Sequence, residues 1–146
     1  MGEPPLLMLG SAAAYRQHFE HVYCRGPTAT HDGFPVWFRR ADFSHAFFES
    51  SQRNQVKDVF SVTRAERMDW IKATLQAPFA ARYCGWDAKS KCYDPVTCVS
   101  NAYDDYVVVV CFRRRRAGEV HGWFKTAYVA DNSIGKIRSS PIWSPP

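Results

Sequence analysis

No C-x-x-C pair occurs among the five cysteines, Cys24, Cys84, Cys92, Cys98 and Cys111, and no ligand pair stands at the usual zinc spacing. An odd, scattered set of thiols argues against a disulfide framework and predicts no metal site, so reduced cysteines in a cytoplasmic protein are expected. Long apolar runs are missing as well. Nothing approaches the ~20 residues of a membrane helix, so no membrane partner is expected. The first residues lack the basic start and long apolar core of a signal peptide. Internal repeats and interdomain linkers are also absent.

What is present is a globular composition. The chain has 146 residues, 46% hydrophobic and 15% aromatic, which is enough for one domain with a substantial core. Its net charge of +5 and pI near 9.1 suit a polyanionic partner without requiring one. Residues 1–14 read as a flexible leader, 15–130 as a single domain and 131–146 as a loose tail.

Ala12 to His21 carries Tyr15 and Phe19 on one stripe and predicts a short helix. Val22 to Thr30 and Pro35 to Arg40 read as strands around the turn signal His31-Asp32-Gly33. Asp42 is placed to cap a helix over residues 43 to about 50, with Phe43, Ala46 and Phe47 buried and His45 outside that stripe, one turn from Glu49. Ser51 to Asp58 reads as a loop. Thr63 with Glu66 has the capping-box spacing for a longer helix bearing Met68, Ile71 and Leu75, which Pro78 ends. Arg64 heads its apolar stripe, and Arg67 and Trp70 lie at the margin. Arg82 to Asp87 predicts a strand, and Ala88 to Asp105 a polar insertion with a short strand near Lys91 to Tyr93. The pattern is α+β, with helices packed on one face of a four- to five-stranded antiparallel sheet.

The last third is the most legible. Tyr106 to Phe112 and Val120 to Val129 are β-prone, and the connection holds Arg113 to Arg116 and a glycine, Gly118, suited to a tight return. Strict alternation along the second arm places Val120, Gly122, Phe124, Thr126 and Tyr128 on one face. His121, Trp123, Lys125, Ala127 and Val129 fall on the other. Hydroxyls, an ammonium, an imidazole and arginines near one another suit a phosphodiester. The plainer alternative is a surface hairpin whose polar groups face water.

Several of these stretches coincide with a known pattern. Phe43 to Phe47 opens a short helix with a central histidine, and Arg64 to Ile71 heads a longer one. The strand Tyr106 to Val110 precedes another ending Trp123-Phe-Lys-Thr-Ala-Tyr128. Together they resemble the phage-type members of the barnase, EndoU, colicin and RelE superfamily of small ribonucleases, over about Val36 to Val129. The resemblance implies a metal-independent endoribonuclease of toxin type that needs no cofactor. The RNA 2′-hydroxyl would attack the adjacent phosphorus and displace the 5′-oxygen, giving a 2′,3′-cyclic phosphate and a free 5′-hydroxyl. It implies catalytic roles for His45, Arg64, Thr126 and Tyr128. Arg67, Arg113, Arg114, Lys125 and His121 are expected, from their charge and hydrogen-bonding groups, to hold substrate. The resemblance also implies RNA and a neutralising immunity or antitoxin protein as partners. The alternatives are a non-catalytic RNA-binding domain that stacks bases on Tyr103, Tyr106, Trp123 and Tyr128, and a partner-binding domain of a phage or mobile element.

Overall fold

The computed structural model describes residues 3–51, 57–87 and 89–146, except for the side chains of residues 95–97. In chain order the elements are α1 (Ala12–Val22), β1 (Thr28–Ala29), β2 (Pro35–Trp37), α2 (Asp42–Phe47), β3 (Phe48–Glu49) and β4 (Val59–Phe60). Then come α3 (Val62–Ala65), α4 (Met68–Gln76), β5 (Ala81–Asp87), β6 (Cys92–Tyr103), β7 (Tyr106–Arg114), β8 (Val120–Val129) and α5 (Ile134–Arg138). Most of the expected Ser51 to Asp58 loop lies outside the described residues, as does Ala88 at the head of the expected insertion.

The sheet is mixed and has six strands, in the order β1-β2-β8-β7-β6-β5, and β3 pairs with β4 apart from it. That overturns the expected four- to five-stranded antiparallel sheet. Two causes are local. Pro35–Trp37 docks parallel to β8, with Val36 opposite Gly122 and Trp37 opposite Trp123. The polar stretch read as an insertion is instead a long strand, Cys92–Tyr103, pairing with β5 and β7 on either side. Its polar Asn101, only 2% exposed, is accommodated by donating from Nδ2 to the Val108 carbonyl at 3.0 Å.

Helices also lie on both faces. On one, Tyr15 and Phe19 of α1, Phe43 and Phe47 of α2, and Met68, Ile71 and Leu75 of α4 meet Val36, Val108, Val110, Phe112 and Phe124 in the main core. Phe19 touches Phe38, Phe43, Phe47 and Phe124 at ring separations of 5.6–6.3 Å. Each such side chain stabilises the fold by ~1.5–3 kcal/mol on burial. On the other face, Ile134 and Ile137 of α5 pack with Val107, Val109 and Tyr128.

The helices start and stop differently from the sequence pattern. The long helix breaks at Glu66 and Arg67, which lie between α3 and α4. Ser61, not Thr63, caps α3: its hydroxyl accepts from the Arg64 amide at 3.2 Å. Asp42 lies inside α2, where its carboxylate accepts from the Arg39 amide at 2.8 Å and pairs with the Arg39 guanidinium at 3.1 Å. The terminal segments make specific contacts. The Tyr15 hydroxyl donates to the Leu7 carbonyl, Trp70 Nε1 to that of Pro4, and Trp143 is buried against Phe112.

Candidate nucleic-acid interface

The site depends on one irregularity in β8. Val110 pairs with Phe124 but Val109 pairs with Thr126, so Lys125 is an extra residue without a partner in β7. Such a bulge reverses the alternation beyond it. Ala127 therefore joins Phe124 in the main core, while Tyr128 packs with Val107 and Val109 on the opposite face. The expected grouping of Thr126 and Tyr128 with Val120, Gly122 and Phe124 is thus corrected. The two hydroxyl side chains share the face of His121 and Trp123.

That face also carries an aromatic row. In β2, Val36 and Phe38 are buried, so Trp37 points the other way and is 37% exposed. The Trp37 and His121 rings are near-parallel, 6.1 Å apart at an interplanar angle of 9°. His121 and Trp123 follow at 6.2 Å and 28°. Trp37 Nε1 donates to His121 Nδ1 at 3.0 Å, so the neutral ring carries its proton on Nε2, which donates to Glu119 at 3.2 Å. Both imidazole nitrogens are engaged, which holds His121 as a spacer between two indoles. Arg113 stands opposite His121 across the hairpin, exposed and without an ion pair among the described residues.

Further along the face, Tyr128 lies under the guanidinium of Arg64, whose carbon is 5.9 Å from the ring centroid. Burial raises the Tyr128 phenol above its ordinary value, against the opposing pull of Arg64. It is therefore a proton donor at neutral pH and not a base. Arg64 also donates from Nη1 to the Ala46 carbonyl at 3.3 Å and pairs with Glu49 at 3.5 Å. Burial likewise raises the Cys98 thiol on β6, with Lys125 pulling the other way, which puts the Lys125 charge near this face.

The nominated residues thus separate. His121, Lys125, Thr126, Tyr128 and Arg113 share the face, and Arg64 reaches it from the edge of α3. His45 is exposed on α2, one residue before the carbonyl that Arg64 grips, and makes no hydrogen bond or ion pair among the described residues. Glu49, the neighbour expected for His45, pairs with Arg64 instead. Arg67 is occupied in the α3–α4 break, donating to the Thr63 carbonyl at 2.7 Å and pairing with Glu66 at 2.9 Å. Arg114 donates to the Gly118 and Pro146 carbonyls. Tyr106, only 2% exposed, is core and does not stack bases, and Tyr103 packs on Phe79 at 5.1 Å. Trp37 was missed. Its signal was an outward tryptophan between two inward apolar residues, but no local pattern pointed to His121 as its neighbour.

Among the described residues no group of three or more His, Cys, Asp or Glu side chains is placed to hold a metal ion. No described helix is long and apolar enough to cross a membrane. Comparison with protein families, curated proteins and solved structures finds no match to this chain.

Proposed function

We propose that the protein binds single-stranded RNA in the cytoplasm on the face of its sheet that carries Trp37, His121 and Trp123. The aromatic row is the observation that supports this reading. Two indoles held in offset register by an imidazole, beside Arg113 and Lys125, offer ring faces to bases and cations to phosphates. Stacking accepts any base, so little sequence preference is expected. Replacing Trp37 or Trp123 by Ala should each weaken binding of an oligouridine by ~1–3 kcal/mol. Equal affinity of both variants and the parent, measured by fluorescence anisotropy, would sink the reading.

A second reading, metal-independent cleavage of the bound strand, is favoured by Arg64. That side chain joins the end of α2, beside His45, to Tyr128 on the face. His45 would move the proton, Arg64 would neutralise charge on the phosphorane, and Tyr128 and Thr126 would donate hydrogen bonds to it. Incubation with RNA in EDTA should then yield 2′,3′-cyclic phosphate ends. His45→Ala should lower that rate by ~10² to 10⁴ while leaving affinity unchanged. Intact RNA at high protein concentration confines the protein to binding. A neutralising protein partner would be expected only for the cleaving form.

A further inference from the structure

We propose that the hollow between the β5–β6 hairpin, the end of β8 and α5 receives the base of one nucleotide, an inference that rests on the RNA-binding reading above. The hollow measures about 530 Å³, within the range of small-ligand sites. Its outer wall is aromatic. Trp86 and Tyr93 are partners across β5 and β6, with ring centroids 5.1 Å apart at 77°, and are 54% and 40% exposed. Two exposed aromatics fixed against each other at a cavity mouth present a stacking face at little entropic cost.

The interior is rich in donors. Ser100, Tyr128 and Cys98 line the sheet side, and Lys136 of α5 stands at the rim. Burial holds both the Tyr128 phenol and the Cys98 thiol in their protonated forms at neutral pH. Among the described residues no carboxylate lines the hollow. Asp87 and Asp94 lie near enough to act on Cys98, and Asp87 is satisfied by the Ser90 hydroxyl and the Lys89 amide. A nucleobase fits that inventory: its faces stack, its ring nitrogens and carbonyls accept, and its phosphate suits Lys136. The geometry of the hollow is fixed by backbone. Residue pairing jumps from Cys84–Val99 to Gly85–Asp94, and a Cβ on Gly85 would stand 2.1 Å from the Cys98 carbonyl oxygen. Tyr128 is shared with the Arg64 contact, so a base in the hollow would continue the path of a strand laid along the aromatic row.

The test is an NMR titration of the full chain with AMP, GMP, CMP and UMP, with ribose 5-phosphate and inorganic phosphate as controls. At least one mononucleotide should shift the Trp86 indole and Lys136 amide signals saturably, with a Kd below about 1 mM, and neither control should. Trp86→Ala, at an exposed side chain, and Ser140→Phe, which fills the hollow, should each weaken that binding about fivefold or more. If Ser140→Phe loses its folded spectrum, Trp86→Ala alone gives the readout. Absence of mononucleotide shifts overturns the proposal, as do shifts that both variants leave unchanged. An oligouridine titration keeps the two readings apart. If the oligomer binds through Trp37 and Trp123 while mononucleotides do not bind, only the hollow is refuted. If a mononucleotide occupies the hollow but the oligomer does not bind, the hollow stands and RNA binding falls.

Discussion

Three tyrosines show how one group does different work by its surroundings. The Tyr23 hydroxyl donates to the Met68 carbonyl at 2.7 Å and accepts from the Lys72 amide at 3.2 Å, fixing α4 to α1. The Tyr106 hydroxyl donates to the Arg67 carbonyl at 3.3 Å, in the break between α3 and α4. Tyr128 instead borders the hollow. Burial raises all three phenols above their ordinary value. The unfolded chain therefore releases these protons first, near pH ~10, while the folded chain keeps them. Stability from this source is whole below about pH 10 and is lost as pH rises. Urea denaturation from about pH 8 to about pH 11 should show a falling unfolding free energy. Tyr23→Phe should cost about 1–2 kcal/mol at the lower end and flatten the decline. An unchanged alkaline slope in that variant would remove Tyr23 from the account.

At the level of elements, β8 does most to position the site, and its middle is tightly constrained. Gly122 lies opposite Phe112, and an added Cβ would meet Val110 at 2.8 Å and Phe112 at 2.9 Å. Gly122→Ala should destabilise by about 1–3 kcal/mol through overpacking, read as a lower urea midpoint. Gly10→Ala, where an added Cβ meets nothing within 4 Å among the described residues, should leave the midpoint in place. The hairpin of β7 and β8 was legible because both its cues were local: β-branched runs and a glycine, Gly118, at φ +93°. The bulge at Lys125 was not. A lysine there satisfies alternation as well as any residue, and only the count of partners on β7 shows that one is in excess. The helix break at Arg67 was hidden for a related reason. Met68, Ile71 and Leu75 keep helical spacing whether or not the preceding turn is continuous.

At the scale of the whole molecule, the sequence showed that helices would cover a sheet but not how the sheet is ordered. A three-residue strand such as β2 carries too little pattern to name a parallel partner far along the chain. Its placement beside β8 nevertheless creates the proposed interface, by bringing Trp37 to His121. Charge was legible from the start, and it gives the most global of the expected outcomes. A net charge of +5 attracts any polyanion, so affinity alone does not identify a site. Salt dependence does better, since each phosphate neutralised on a single strand adds about −0.7 to the slope of log K against log salt. If Arg113, Lys125 and one further arginine of the hairpin turn hold phosphates, oligouridine binding should follow a slope of about −2. Arg113→Ala should make it shallower by about 0.7. Trp37→Ala should lower affinity at every salt concentration and leave the slope alone, because stacking releases no counterions. Anisotropy titrations between about 50 and 300 mM salt separate these cases. If the slope shifts with Trp37 and not with Arg113, strand and sheet face do not meet as proposed.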